Sequence, residues 1–222
     1  MTDAQQILRR TSALGPFFAT VDGPLPPDFR PLGELATPGF WERRINEVGP
    51  RLRTDEPRVA ASVAQLGLAA RLWSVALGTA ALAGVVPELG PDRAHWRLPR
   101  GGTLELWVPG VRAGEPVAAL RQAVAVENLA PIGAAIRAVT PVAERLLWGN
   151  AASALAGVLK VLPPTVRAVA RPLVGGLLEQ PPLVGGGGPA GAFRRTTCCL
   201  YYRVPGGGLC GDCVLDRAPG SR

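Results

Sequence analysis

The chain has 222 residues, of which 47% are hydrophobic and 18% are charged, and its formal net charge at pH 7 is +7. This composition is typical of a folded globular protein and excludes a disordered tail. Almost all of the positive charge is arginine, because Lys160 is the only lysine, and the arginines are scattered along the chain. With no basic helix face and no patch of interleaved aromatic residues, the sequence argues against nucleic-acid binding.

Two features of the sequence bear on the cellular compartment in which the protein is expected. Residues 1–10 carry charges without a following apolar run, so the sequence predicts no secretory signal. The longest apolar stretch, residues 72–87, is shorter than the about 20 residues that cross a bilayer, and it predicts a buried helix of a soluble core. We therefore expect a cytoplasmic protein without a membrane span, although peripheral association with a membrane stays open. In a reducing cytoplasm, clustered cysteines bind metal more often than they form disulfides.

The first half of the chain predicts three helices. Residues 2–14 could form a short helix, and the proline-rich residues 15–38 predict an irregular surface segment. Apolar spacing then predicts a helix from Pro38 to the Gly49-Pro50 pair. A longer helix is predicted from Pro57 to about Pro87, since its apolar residues recur close to every 3.6 positions.

A change in the spacing of the apolar residues, from a helical to a strand-like period, indicates a β-hairpin. Residues 94–98 and 103–108 flank the sequence Pro99-Arg100-Gly101-Gly102, which predicts two strands joined by a glycine turn. His95, the only histidine, lies on the first strand without a nearby Asp or Cys partner. A packing residue is the favoured interpretation, and a catalytic role is the alternative.

Helical spacing returns in residues 116–162, where Pro131 and Pro141 divide the run into three predicted helices. The last of them carries Trp148 and Asn150 inside an otherwise apolar run. These two side chains could face a ligand, but we favour Trp148 as a core residue and Asn150 as a capping residue.

The elements together predict an α+β fold that is predominantly helical. We expect a mostly helical body in residues 1–191, of which the Gly/Pro-rich residues 163–191 form a linker, and a C-terminal cofactor-binding segment in residues 192–222. Gly186, Gly188 and Gly191 match a dinucleotide-binding pattern by accident, because prolines surround them and no strand precedes them. No other nucleotide-binding or hydrolase motif is present.

All four cysteines of the chain lie in its last 25 residues, as Cys198, Cys199, Cys210 and Cys213. Four thiolates are the ligand set of a [2Fe-2S] cluster and also of a structural zinc site. The Cys210–Cys213 pair can reach a metal from one tight loop, whereas the adjacent pair can do so only if the backbone bends sharply. The spacing of the cysteines alone favours an iron-sulfur cluster and a zinc site equally, and it favours a disulfide less.

The cysteine spacing resembles the C-terminal signature of the FhuF-like ferric-siderophore reductases, an adjacent pair followed after ten residues by Cys-x-x-Cys. Similar residues in that family stand at Arg195, Leu200, Tyr202, Arg203 and residues 206–208, and residues 146–155 also look familiar for it. The resemblance implies that Cys198, Cys199, Cys210 and Cys213 hold a [2Fe-2S] cluster. Candidate substrate-binding residues are Trp148, Asn150, Arg195 and Arg203.

The implied activity is the one-electron reduction of iron(III) in a ferric siderophore, with release of iron(II). The electron would come from a ferredoxin, a flavodoxin or a flavin reductase, because the chain has no recognisable flavin or nicotinamide motif. Nearby arginines would raise the cluster potential, and Asp212 would lower it. The alternatives are a binding protein stapled by a four-cysteine zinc site and a non-catalytic iron-sulfur sensor.

Overall fold

The chain folds as a helical body with two small antiparallel sheets. A computed structural model describes residues 3–99, 102–190 and 192–219. The helices are α1 (Asp3–Ser12), α2 (Pro38–Leu52), α3 (Pro57–Ala83), α4 (Pro116–Leu120), a π-helical turn (Arg121–Leu129), α5 (Ala130–Val139), α6 (Glu144–Val161) and α7 (Pro164–Leu178). The strands are β1 (Arg30–Pro31), β2 (Val86–Pro87), β3 (His95–Arg97), β4 (Glu105–Trp107) and β5 (Val111–Arg112). This architecture confirms the predicted, predominantly helical α+β fold.

Helix α3 is the centre of the body. It begins at Pro57, in the first turn, where a backbone N–H would have no partner within the helix, so a proline costs no hydrogen bond there. It is capped at its C-terminal end by Gly84, whose φ of +67° is a left-handed conformation that glycine adopts readily. Leu72, Trp73 and Leu77 are fully buried at 0% exposure, and α6, α2, α1 and α7 pack around the helix. A helix that is apolar on every side must be surrounded, which is why the core forms here.

The same helix has the length and composition of a membrane span. Its most apolar window has a mean hydropathy of 1.5, and 67% of that window is buried among the described residues. Core helices of soluble proteins have this combination of properties. The burial agrees with the sequence prediction of a core helix.

The predicted hairpin is confirmed. Strands β3 and β4 pair antiparallel with His95 opposite Trp107, and β1 adds a third strand beside β3. The turn residues Arg100 and Gly101 lie outside the described residues. The His95 ring packs edge-on against Trp107 at 5.7 Å between centroids, as expected of a packing residue.

Two predictions for irregular segments were wrong. In residues 15–38, Phe18, Leu32 and Leu35 are buried at 1% exposure or less, so this segment belongs to the core although its prolines prevent long helices. The predicted linker at 163–191 contains α7, whose Ala170, Val174 and Leu177 are buried.

Helix α7 forms because Pro164 occupies the first turn and the apolar residues recur at spacings of four and three. The sequence interpretation gave too much weight to Pro172, which lies inside this helix. Helix α2 also contains a proline, Pro50, and ends two residues beyond it at Leu52. Both helices show that packing against the body can outweigh a local helix breaker.

Candidate metal centre

The adjacent cysteines lie at a sharp turn of the backbone. Leu200, directly after Cys199, has a φ of +66°, and a short 3-10 helix at Tyr201–Arg203 follows it. A leucine rarely adopts this left-handed conformation, so surrounding contacts must hold it there. The turn directs the Leu200 N–H to the sulfur of Cys198 at 3.3 Å. The backbone thus turns sharply directly after the adjacent cysteines, and joint ligation by the pair stays a prediction.

The second pair lies on a tight turn. The backbone N–H of Cys213 donates to the carbonyl of Cys210 at 3.1 Å, which closes the loop through Gly211 and Asp212. The N–H of Leu215 approaches the Cys213 sulfur at 3.4 Å, as the Leu200 N–H approaches Cys198. One cysteine of each pair therefore receives a hydrogen bond from the amide two positions later.

The two turns bring thiols from both pairs together. The sulfurs of Cys199 and Cys210 lie 3.5 Å apart, and all four cysteines are free thiols. Burial, followed by the neighbouring Cys199 thiol, raises the pKa of Cys210 to about 12. Burial also raises the pKa of Cys198, and the thiols of Cys199 and Cys213 add to this effect. Because metals bind thiolates, loading this site must release protons.

The close pair of thiols is compatible with a two-iron cluster. Among residues 3–99, 102–190 and 192–219, no three His, Cys, Asp or Glu side chains are grouped closely enough to hold one ion. A zinc site of four cysteines needs all four thiolates around a single ion. A [2Fe-2S] cluster instead distributes its four cysteines over two irons, which suits the close contact of the Cys199 and Cys210 sulfurs.

A buried chain of hydrogen bonds ties the adjacent cysteines to α3 and α6. The Ser62 hydroxyl of α3 donates to the carbonyl of Cys199 at 2.7 Å. The Asn150 amide of α6 donates to the Ser62 hydroxyl and carbonyl, each at 3.0 Å. Arg195 in turn donates to the Asn150 side-chain oxygen in a short contact, and its Nε donates to the carbonyl of Thr197 at 3.1 Å.

A second set of contacts holds the Cys210–Cys213 turn. The Ser153 hydroxyl of α6 donates to the Asp212 carboxylate at 2.6 Å, and the Arg195 backbone N–H donates to the Asp212 carbonyl at 3.0 Å. Arg194 donates through Nε to the carbonyl of Cys213 at 3.0 Å and pairs with Asp216 at 2.5 Å. Both cysteine turns are thus fixed to the body and to each other.

The predicted substrate residues divide into two groups. Asn150 is 0% exposed and Arg195 2% exposed, which leaves neither side chain a surface for substrate in this structure. Their contact with each other gives them a structural role in positioning the segment. Trp148 is half-buried with its indole N–H 3.4 Å from Glu144, and Arg203 is paired with Glu56 at 2.6 Å. This pairing lowers the pKa of Glu56 and raises that of Arg203.

Sequence reasoning missed Ser62 and Ser153. A signal existed for Ser153, because it lies three positions after Asn150 and so on the same face of an otherwise apolar helix. Two polar residues in register on a buried face indicate a polar partner on the packed element. Ser62 lies in an alanine-rich stretch of α3, where a small hydroxyl has no distinctive pattern.

The C-terminal segment also matches a known family. Residues 195–215 match the family model of the FhuF 2Fe-2S C-terminal domain. No curated protein matches the chain. The match spans all four cysteines, confirms the FhuF-like resemblance of this segment, and identifies the cofactor as a [2Fe-2S] cluster. The assignment of each cysteine as a ligand stays a prediction, which the pairing of Cys199 with Cys210 supports.

Proposed function

We propose that this protein is a cytoplasmic ferric-siderophore reductase that delivers one electron to chelated iron(III) and so releases iron(II). The observation that carries the proposal is the match of residues 195–215 to the FhuF 2Fe-2S C-terminal domain. The whole cysteine motif, from Cys198 to Cys213, resembles that of the ferric-siderophore reductases. The cytoplasmic part of the proposal is supported by the clustered cysteines, since a reducing compartment keeps thiols available for metal.

The chemistry of the substrate explains why one electron is sufficient. The hard oxygen donors of a siderophore bind iron(III) tightly and iron(II) much less well. One electron from an external donor converts iron(III) to iron(II), and the chelator then releases the metal without any bond of its own being broken. This reaction does not require a general acid or a nucleophile, in keeping with the lack of a recognisable hydrolase motif in the sequence.

The chain's own residues would hold the cofactor and adjust its surroundings. When bound, the [2Fe-2S] cluster supplies one-electron chemistry at a potential that depends on charge, exposure and hydrogen bonding to sulfur. The amides of Leu200 and Leu215 are directed at the sulfurs of Cys198 and Cys213. Such hydrogen bonds stabilise negative charge on sulfur and favour the reduced state.

Exposure of the cysteines gives the site an open side. Cys199 is buried, whereas Cys198, Cys210 and Cys213 are half-buried. We propose that the siderophore complex and the electron donor both approach this side, with Trp148 and Arg203 as candidate contacts. The donor would be a ferredoxin, a flavodoxin or a flavin reductase. The Arg203 side chain remains 35% exposed despite its ion pair with Glu56.

The test is a stoichiometric oxidation of the reduced protein. The purified holoprotein is reduced with dithionite, desalted anaerobically, and mixed with a ferric tris-hydroxamate or a ferric tris-catecholate in the presence of a chromogenic iron(II) chelator. We expect the visible spectrum of the oxidised cluster to return while one iron(II) appears for each electron lost. The relative rates with the two complexes identify the preferred class of siderophore.

The iron-free siderophore is the control, since it should leave the reduced protein unchanged. A reduced cluster that is stable in the presence of both ferric complexes would contradict the proposal. That result would favour a non-catalytic iron-sulfur sensor. A colourless protein containing zinc would contradict both the cofactor and the reaction.

A further inference from the structure

A cavity lies on the side of α3 that faces away from the cysteine segment. Its volume is about 310 Å³, and it is enclosed by α2, α3, the loop after α1 and the residues around the β3–β4 turn. The volume is at the lower end of the roughly 300–1,000 Å³ of small-molecule sites. Most of its walls are apolar, including Phe17, Trp41, Leu68 and Leu104.

No side chain of α3 covers the cavity at Gly67, which is exposed and lies at the open side of the cavity. A Cβ atom built at this residue would have no neighbouring atom within 4 Å, and Gly67 lines the cavity. Glycine inside a helix is unfavourable relative to alanine. A larger side chain at Gly67 would project into the open side of the cavity without a clash.

The charged groups of the cavity are cationic. Arg44 and Arg71 are the charged residues among the described ones that line it, and the Glu105 carboxylate acts on Arg71 without lining the cavity. Arg71 is 6% exposed and donates hydrogen bonds to the carbonyls of Phe17, Ala19 and Leu104. Within the described part of the chain it has no carboxylate in ion-pair contact. These three bonds use three of the five N–H groups of a guanidinium, so two remain for a ligand.

Arg44 provides a second, more accessible cation. Its only described ion pair is with Glu47 at 3.2 Å, whose side chain is 52% exposed. Such surface pairs are weak, so a ligand carboxylate can replace Glu47 at little cost. Burial lowers the pKa of Arg71 to about 10, so its guanidinium stays charged at neutral pH.

Aromatic rings line the cavity and its surroundings. The Phe40 ring lies edge-to-face with Trp41 at 5.4 Å and with Trp96 at 5.2 Å. Phe17, although 49% exposed, also lines the cavity. An exposed aromatic side chain beside an apolar cavity is typical of a ligand-binding surface.

We propose that this cavity binds a small organic carboxylate with an apolar body, whose charged end is received by Arg44 and Arg71. The apolar walls favour a ring or short chain, and the guanidinium groups of Arg44 and Arg71 favour a negative charge. Helix α3, about 10 Å across, lies between this site and the cysteine segment, since Ser62 contacts Cys199 while Val63, Gly67 and Arg71 share the cavity face. The site is thus independent of the proposed reductase function.

The experiment is calorimetric titration of the full-length holoprotein with benzoate, 2-naphthoate and octanoate, each compared with its neutral primary amide. We expect at least one carboxylate to bind with a stoichiometry of one, about tenfold more tightly than its amide. Gly67→Leu should fill the cavity and weaken this binding by about tenfold or more. Gly67→Ala is the matched control and should retain it within about twofold, with a thermal midpoint at or above that of the unmodified protein.

Arg44→Gln tests the charge without removing a core residue, because Arg44 is half-buried and does not belong to the hydrophobic core. It should remove most of the preference for the carboxylate over the amide. Three results would each overturn the proposal: no carboxylate binds, the amides bind equally well, or folded Gly67→Leu binds as the unmodified protein does. Neither cluster loss nor failure of siderophore reduction bears on these measurements.

Discussion

The helical body and the cysteine segment are held together by different forces. In the body, large side chains of α3 such as Leu72 and Trp73 are completely buried. In the described part of the segment, residues 192–219, only two hydrophobic residues, Cys199 and Val204, are buried. The segment is also attached by hydrogen bonds that it forms with Ser62, Asn150 and Ser153 of the body.

This difference has a consequence for stability. A segment of this length orders its backbone at a cost of roughly 1–2 kcal/mol per residue, which so few buried apolar groups cannot offset. Metal ligation and polar anchors must supply the rest. The body needs neither, because its core is apolar and continuous. The predictions below test whether the two regions can be separated experimentally.

The largest effect is expected from loss of a cysteine. Cys199→Ser removes the buried thiol that contacts Cys210, so it should abolish the cluster or make it too labile to purify. The body should stay folded, because its core does not include the segment. Visible absorption and iron content of anaerobically purified protein measure the first effect, and far-ultraviolet circular dichroism measures the second.

Tyr201→Phe is the control for local disturbance and should keep the cluster. The same loss is expected for Cys198→Ser, Cys210→Ser and Cys213→Ser. If Cys198→Ser retained a normal cluster, ligation by the adjacent pair would be wrong. If any of the variants unfolded the body as well, the separation of the two regions would be wrong.

A smaller effect is expected from the buried anchor. Asn150→Leu leaves the Arg195 guanidinium without its side-chain acceptor, and Ser62 loses its bond from Asn150. An unsatisfied buried charge of this kind costs about 3 kcal/mol. We expect cluster loss in the presence of a chelator to accelerate by up to roughly a hundredfold, because the segment detaches more often.

Asn128→Leu is the matched control within the body. Asn128 is equally buried, at 2% exposure, and its amide donates to the carbonyls of Leu89 and Ala123. This variant should lower the thermal midpoint but leave the rate of cluster loss unchanged. Equal rates of cluster loss in the two variants would show that Asn150 acts only through general stability.

The contrast between the regions also explains what the sequence could predict. Helix α3 was predictable because its apolar residues repeat along the chain, and the hairpin because its period changes at a glycine turn. Asn150 was recognised as unusual, but its partners Ser62 and Arg195 are 88 and 45 residues away in the chain. Pairing over such distances depends on how helices pack, which no local pattern encodes.

The C-terminal motif was recognisable for a different reason. Its cysteine spacing is rare, whereas α3 was recognisable from the repeat of its apolar residues. The adjacent cysteine pair identified the cofactor through the family signature that it resembles, whereas the left-handed turn found at Leu200 was not predicted. Helix α7 was missed because prolines and glycines dominate its sequence, although its buried residues follow a helical spacing. Composition was a poor guide where an element is stabilised mainly by its neighbours.

The smallest effect concerns charge beside the cysteines. Asp212 lies between two predicted ligands, and its negative charge raises the pKa of Cys210 in addition to the larger effect of burial. Negative charge favours the oxidised cluster, so Asp212→Asn should raise the reduction potential. An interaction of about 1 kcal/mol corresponds to roughly 40 mV for one electron. Ser153 can still donate to the asparagine oxygen, so the turn should keep its geometry.

Asp216→Asn is the control for this measurement, which is a spectroelectrochemical titration of the holoprotein. The Asp216 side chain is 85% exposed and already paired with Arg194, so water screens its charge. Its replacement should change the potential much less. A lower potential in Asp212→Asn, or an equal shift in both variants, would show that Asp212 serves only to hold the turn against α6. The polar contacts of the segment would then anchor it without adjusting the potential.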